Sequence, residues 1–250
     1  MQISSFLIAC AAAGLGFAMG HYLWQTAEYA ARLFRTRRIP LADILCPALI
    51  NAARRLYLPE PARLASHLTA GLLAVAWATL YLIAGSGLQT VALCGALALM
   101  LLLALIDARI GMLPDALTLP LLWAGLALAW LDAGLISLHH AVASAMGVWL
   151  ALRLFGELYR LLRHREGLGR GDIKLMAAVA AWLGWQDIIW IMTFGSLLGL
   201  LLALVAYRNL RPGGTQPFGP PLLFATLLIL LLRVAEQALL RLPASVYHSG

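Results

Sequence analysis

Long apolar runs separated by short polar segments dominate the chain. Seven runs approach the ~20 residues that a helix needs to cross a bilayer, namely 3–24, 67–85, 87–106, 116–135, 140–162, 188–207 and 218–240. An eighth run, 173–185, is shorter. The runs are rich in Leu and Ala and lack strict period-two alternation, so they predict helices rather than barrel strands. The pattern predicts an all-α, polytopic integral membrane protein with about eight transmembrane helices.

Composition supports this class, because 62% of the residues are hydrophobic and only 12% are charged, and the mean hydropathy is +0.87. One soluble surface cannot cover that apolar content. No Lys or Arg precedes the first run, which is longer than a typical signal-peptide core, so we expect a retained anchor, with a cleaved signal as the alternative. We expect residues 1–66 to form this helix plus a short basic loop, and residues 67–250 to form the membrane core.

The basic residues predict the orientation of the helices. The chain has 18 Lys and Arg, and all of them except Arg233 and Arg241 lie on or beside alternate loops. Because Lys and Arg are retained in cytoplasmic loops, these loops should face the cytoplasm and both termini should face outward. We interpret the two exceptions as interfacial snorkelling residues or as a sign that the last helix is misdrawn. The net charge of +7 then favours membrane lipids as partners, and no aromatic-interleaved basic surface suggests nucleic acid.

Cysteine and histidine spacing does not favour a metal site. Cys10 and Cys94 lie inside apolar runs, Cys46 stands alone in the first loop, and no CxxC pair occurs. A tetrahedral zinc site needs four ligands. We interpret the adjacent His139 and His140 as a pair at the outer face of the membrane. The sequence therefore predicts no metal ion.

Two aspartates stand where an apolar run meets a polar segment, and the charge bias puts both on the same membrane side. Asp107 ends the third run, and Asp172 opens the short run 173–185. A carboxylate at membrane level is costly and usually has a function. Either residue alone is more typical of a solvated acid at a helix end, whereas the pair with its surroundings favours catalysis.

The segment after Asp107 reads Ala-Arg-Ile-Gly-Met-Leu-Pro-Asp and turns through Gly111 and Pro114 before the next helix starts near Asp115. An Asp at that place accepts hydrogen bonds from free amides and complements the helix dipole, so we interpret Asp115 as a helix cap.

The segment before Asp172 places Gly167, Gly169 and Gly171 at alternate positions, which permits close backbone approach. Lys174 is the only lysine of the chain, and we interpret it as a snorkelling anchor or as a cation that biases the charge of Asp172.

Together these segments resemble the type IV prepilin peptidases, membrane aspartic peptidases of the GxGD kind. The stretch 107–126 is similar to the first aspartate motif of that family, 169–185 to the second, and Pro-Phe-Gly-Pro at 217–220 to a third signature. The resemblance implies leader cleavage from type IV prepilins or type II secretion pseudopilins at the cytoplasmic face of the bacterial inner membrane. It implies Asp107 and Asp172 as catalytic residues, with a substrate groove or structural support from Pro114, Asp115, Gly169, Gly171 and Lys174.

The resemblance implies no cofactor for peptide hydrolysis. Bifunctional relatives carry two CxxC pairs in the first cytoplasmic loop, where this chain retains only Cys46-Pro47. Zinc is therefore not expected, and S-adenosylmethionine is expected only if a methyltransferase activity is retained, which the sequence leaves open. Two other classes compete with a peptidase. A small transporter or channel would place its acids near the bilayer midplane in broken helices, and a non-catalytic assembly protein of a secretion system would retain the fold without cleavage.

Two close carboxylates in a poorly solvated place cannot both ionise easily, so the pair should hold one proton between them. Which aspartate carries it is left open by the sequence.

Overall fold

The computed structural model describes residues 2–37, 45, 48, 64–164, 167–207 and 218–240. Eight helices occur in the described ranges, and each corresponds in order to one of the predicted apolar runs. An all-α architecture is therefore confirmed, and no strand occurs among these residues. The helices are α1 (Gln2–Arg37), α2 (Leu64–Ala84), α3 (Leu88–Ile110), α4 (Asp115–Trp130), α5 (Leu138–Arg163), α6 (Arg170–Leu183), α7 (Trp185–Tyr207) and α8 (Gly219–Leu240).

Six of these helices, α1, α2, α3, α5, α7 and α8, are long and apolar enough to cross a membrane. The other two are short, because α4 has 16 residues and α6 has 14. At 1.5 Å per residue they extend roughly 24 and 21 Å, less than the ~30 Å of a bilayer core. The protein is a polytopic membrane protein as predicted, but two of the eight helices fall short of a full span.

Helix α1 is longer than predicted, since it continues past Trp24 to Arg37. Its glycines let α2 approach closely. A Cβ atom on Gly16 would lie 2.9 Å from Ala74 Cα, and one on Gly20 would lie 2.6 Å from Ala70 Cα. Contact this close is how small residues serve helix packing in membranes. Cys46 and most of the basic loop that follows α1 lie outside the described residues.

Helix α6 is the central helix of the bundle. It packs against α4, α5, α7 and α8, and every residue from Leu175 to Leu183 is buried. The indole Nε1 of Trp182 donates a 2.9 Å hydrogen bond to the Leu121 carbonyl of α4, and a Cβ on Gly125 would lie only 2.6 Å from that indole nitrogen. A helix that is apolar on all sides requires such enclosure, and the enclosure fixes where Asp172 stands.

An ion pair links α7 and α8. Arg233 donates to Asp187 at 2.7 Å and 2.8 Å and to Glu236 at 2.8 Å, and the Asp187 side chain is only 4% exposed. The last helix was not misdrawn, because α8 runs over the predicted range, and the Arg233 guanidinium binds two carboxylates. Arg241 lies outside the described residues.

Candidate active site

Asp107 lies in the last turn of α3. The helix ends at Ile110, and Gly111 follows with φ 71°, a left-handed conformation suited to glycine. The Gly111 N–H closes the helix with a 2.8 Å hydrogen bond to the Asp107 carbonyl. The apolar run suggested that the helix ends at Asp107, but the helix continues past this residue to Ile110. Asp107 is buried, with 6% of its surface exposed.

Helix α8 supplies the contact that holds the Asp107 carboxylate. The backbone N–H of Gly219 donates a 2.6 Å hydrogen bond to Asp107 Oδ2. Gly219 is the first residue of α8, so this amide is one of the donors that no carbonyl of its own helix can satisfy, and the partial positive charge of the helix start favours an anion there. A Cβ at this position would lie 2.8 Å from Oδ2, which leaves room only for glycine.

Asp172 lies in the first turn of α6, the central helix. Gly169 is the residue at which the helix begins, with φ −64° and ψ 138°, so it needs no special dihedral. The reason for glycine is steric instead, because a Cβ there would lie 2.8 Å from Asp172 Oδ2. The carboxylates of Asp172 and Asp107 interact electrostatically. The structure thus brings the two predicted residues to the same end of the bundle, which we call the aspartate end.

Two contacts join the segments that carry these aspartates. A Cβ on Gly171 would lie 3.0 Å from Leu113 Cβ, so the linker between α3 and α4 packs directly on the start of α6. Beside this contact, Lys174 Nζ donates to both carboxylate oxygens of Asp115 at 2.7 Å.

These contacts correct two interpretations. The capping position of α4 is Pro114, no side chain makes a capping hydrogen bond, and the Pro114 carbonyl accepts from the N–H groups of Leu117 and Thr118 at 3.1 and 3.2 Å. Asp115 is therefore not a side-chain cap, although its place in the first turn still complements the helix dipole. Lys174 binds Asp115, so its direct partner is Asp115 and not Asp172.

Sequence reasoning missed two residues at this end. Gly219 was noticed only as part of the Pro-Phe-Gly-Pro signature, and nothing in that motif indicates that its amide reaches Asp107. Arg109 was counted as a loop residue, but it lies in the last turn of α3 with its guanidinium 4.1 Å from the centre of the Trp24 ring. This cation–π contact ties α1 to the end of α3.

No cluster of three or more His, Cys, Asp or Glu that could hold a metal ion occurs among the described residues. His140, one of the two adjacent histidines, is 3.1 Å from Gln186 Oε1 through its Nε2. The groups at the site that could transfer protons are the carboxylates of Asp107 and Asp172, and the Gly219 N–H is the backbone donor beside them.

Part of the chain is similar in sequence to known proteins. Residues 94–204 match the type IV leader peptidase family. A prepilin leader peptidase/N-methyltransferase of Dickeya chrysanthemi is 45% identical over 134 residues, which is 53% of this chain and 47% of the relative. Its counterpart in Burkholderia pseudomallei strain K96243 is 41% identical over 156 residues, or 62% and 49%, and that of Klebsiella pneumoniae is 53% identical over 90 residues, or 36% and 39%.

The chain spans about half the length of the first two of these relatives. No solved structure shows significant similarity to it. The matched range includes both segments that carry the aspartates, 107–126 and 169–185. Residues 94–204 of this chain are therefore similar to the type IV leader peptidase family.

Proposed function

We propose that the chain is a membrane-embedded aspartic endopeptidase that removes the leader from type IV prepilins or type II secretion pseudopilins. The observation that carries the proposal is that the linker after Asp107 packs on the start of α6, which carries Asp172, through Leu113 and Gly171, while the Gly219 amide holds Asp107. The names of the relatives, prepilin leader peptidase/N-methyltransferase, support the same substrate class. The proposal is confined to peptide hydrolysis.

In the proposed mechanism the two carboxylates share one proton. The ionised member takes a proton from water while the water oxygen attacks the scissile carbonyl carbon, and the protonated member gives its proton to the carbonyl oxygen. The resulting neutral diol collapses when the C–N bond breaks. The leaving nitrogen takes a proton from one carboxyl, and a diol hydroxyl returns a proton to the other carboxylate. No covalent acyl-enzyme forms, and the starting protonation is restored.

The fixed position of Asp107 contributes to this mechanism. A carboxylate that already accepts a backbone N–H and sits at a helix start needs no reorganisation when charge moves during the reaction, which is the basis of electrostatic preorganisation. Enclosure of α6 by four helices limits the movement of Asp172 in the same way. Proton transfer by a positioned group is typically worth about 10²–10⁴-fold in rate, so both carboxylates are needed.

The proposed location is the bacterial inner membrane with the aspartate end towards the cytoplasm. Most described basic residues belong to helix segments at that end, namely Arg32, Arg109, Arg153, Arg160, Arg163, Arg170 and Lys174. The exception in the opposite half of the bundle, Arg233, is matched by Asp187 and Glu236. Because the positive-inside rule concerns Lys and Arg in loops beside the membrane, a paired arginine within α8 does not weigh against this orientation.

The test is co-expression with a prepilin substrate and a gel shift that reports leader removal. Asp107→Asn and Asp172→Asn keep the shape of each side chain and remove its acid–base function, so each is expected to abolish processing. Asp132→Asn is the matched control, because Asp132 is an exposed acid in the turn after α4 with φ 51°, a conformation that Asn tolerates. Processing by either Asp107→Asn or Asp172→Asn at the wild-type rate would remove that residue from the mechanism.

A further inference from the structure

The ion pair between Asp115 and Lys174 lies at the junction of the two aspartate segments. Asp115 is the first residue of α4, eight positions after Asp107, and Lys174 is two positions after Asp172. Both oxygens of Asp115 accept from Lys174 Nζ at 2.7 Å. We propose that Asp115 and Lys174 are positioning residues whose ion pair holds the start of α4 against the start of α6, and so fixes the separation of Asp107 and Asp172. This proposal rests on the proposed function.

The placement of Lys174 supports a specific role. A cation in the first turns of a helix faces the positive end of the helix dipole, which disfavours it. Asp115 offsets that cost and sits favourably at the start of its own helix. The pair therefore joins two helix starts through one ammonium group, and this arrangement differs from pairs within a single helix, such as Arg153 with Glu157 in α5.

The connection to the aspartates is short and stiff. Only four residues, from Gly111 to Pro114, separate α3 from α4. Leu113 in this linker packs on the position of Gly171, where a Cβ would lie 3.0 Å from Leu113 Cβ. With Asp115 held by Lys174, little chain remains that could let the end of α3 move relative to the start of α6.

The exposure of the two side chains indicates that the ion pair affects the relative position of the aspartates more than the stability of the fold. The side chains of Lys174 and Asp115 are 43% and 55% exposed, and ion pairs with that exposure contribute little to folding stability. A small displacement of reacting groups, by contrast, can lower a rate by about 10²-fold. Loss of the pair should therefore reduce turnover without unfolding the protein.

The first test is kinetic and uses the full chain with a purified prepilin. Lys174→Met is expected to lower kcat by up to about 10²-fold with KM unchanged, whereas Lys174→Arg retains the charge and most of the rate. Asp115→Asn should have a similar effect, and the double variant should be no worse than either single one, because both remove the same interaction. The control Arg153→Met, which breaks an ion pair within one helix, should leave kcat unchanged. A change in KM alone would overturn the proposal and make Lys174 a substrate contact.

The second test does not depend on activity, so it separates failure of this proposal from failure of the proposed function. Cysteines are introduced at Leu113 and Gly171 after the three native cysteines are replaced by Ser, and disulfide formation under mild oxidation is followed with time. Lys174→Met is expected to slow this crosslink, and Lys174→Arg is expected to preserve its rate. Equal crosslinking rates with the native Lys174, with Lys174→Met and with Lys174→Arg would show that the ion pair does not hold these segments together and would overturn the proposal.

Discussion

The backbone N–H of Gly219 donates a 2.6 Å hydrogen bond to Oδ2 of Asp107, across 112 positions of sequence. This contact makes the start of α8 part of the site. In Gly219→Ala the added Cβ would lie 2.8 Å from Oδ2 and 2.9 Å from the Cβ of Asp107. The Asp107 Cβ cannot rotate away because it is fixed to the helix backbone, so α8 and α3 must separate.

We therefore expect Gly219→Ala to reduce prepilin cleavage about 10²-fold, the order of effect of a 1 Å misplacement at a reacting centre. The measurement is kcat for leader removal in detergent solution. Gly71→Ala is the matched control, because Gly71 is also a helical glycine and nothing lies within 4 Å of its added Cβ. Wild-type kcat in Gly219→Ala would mean that the amide contact does not position Asp107.

Much of the fold could be predicted because hydrophobic periodicity and length are local properties. All eight helices correspond to apolar runs, and α2 and α8 match within three residues at each end. The end of α1 was missed because polar residues such as Gln25, Glu28 and Arg32 interrupt the apolar run after Trp24, and polar residues end an apolar run without ending a helix. Helix continuation depends there on propensity and on contacts such as that between Arg109 and Trp24, which a run of apolar residues does not encode.

The site was predicted only in part, for a related reason. Asp107 and Asp172 are recognisable from local motifs, and the structure brings both to one end of the bundle. Asp115 and Lys174 are 59 positions apart, and Arg233 is 46 positions from Asp187. Local rules assigned these residues roles as a cap and as snorkelling side chains, because local rules cannot identify a partner on another helix.

The pH dependence of cleavage follows from a pair of interacting carboxylates. At low pH both Asp107 and Asp172 are protonated and no base is present, whereas at high pH both are ionised and no acid is present. We expect kcat/KM to rise and then fall with pH, with two apparent pKa values that belong to the pair. The measurement is the initial rate of prepilin cleavage across the pH range in which the protein stays folded. A rate that rises to a plateau with a single titration would contradict the two-carboxylate mechanism.

The packing of α1 on α2 predicts a difference between two glycines of one helix. A Cβ on Gly20 would lie 2.6 Å from the backbone Cα of Ala70, whereas nothing lies within 4 Å of a Cβ on Gly14. Gly20→Ala should therefore destabilise the protein by about 1–3 kcal/mol, the usual cost of overpacking. Gly14→Ala should be neutral or slightly stabilising, because Ala favours helix more than Gly does.

Thermal unfolding in detergent micelles measures both glycine variants. A lower Tm for Gly20→Ala than for Gly14→Ala is the expected result. Equal Tm values would contradict the close approach of α1 and α2 at this level of the bundle.

The ion pair between Asp187 and Arg233 predicts a stability effect that is separate from catalysis. The Asp187 side chain is 4% exposed and that of Arg233 is 42% exposed. Arg233→Met removes the partner and leaves a buried carboxylate unpaired, which costs about 3–5 kcal/mol in fully buried pairs. Because Arg233 is partly exposed, we expect about 2–3 kcal/mol, measured as reversible unfolding in detergent solution.

Asp187→Asn combined with Arg233→Met should recover part of that loss, because no unpaired charge remains. Arg160→Met, which breaks an exposed pair with Glu157, should cost at most about 1 kcal/mol and serves as the control. The pair lies near the start of α7, away from the aspartate end, so cleavage measured well below the unfolding temperature should persist in the Arg233→Met variant. If Arg233→Met lowered kcat without lowering stability, the pair would act on the position of α8, and hence of Gly219, rather than on folding alone.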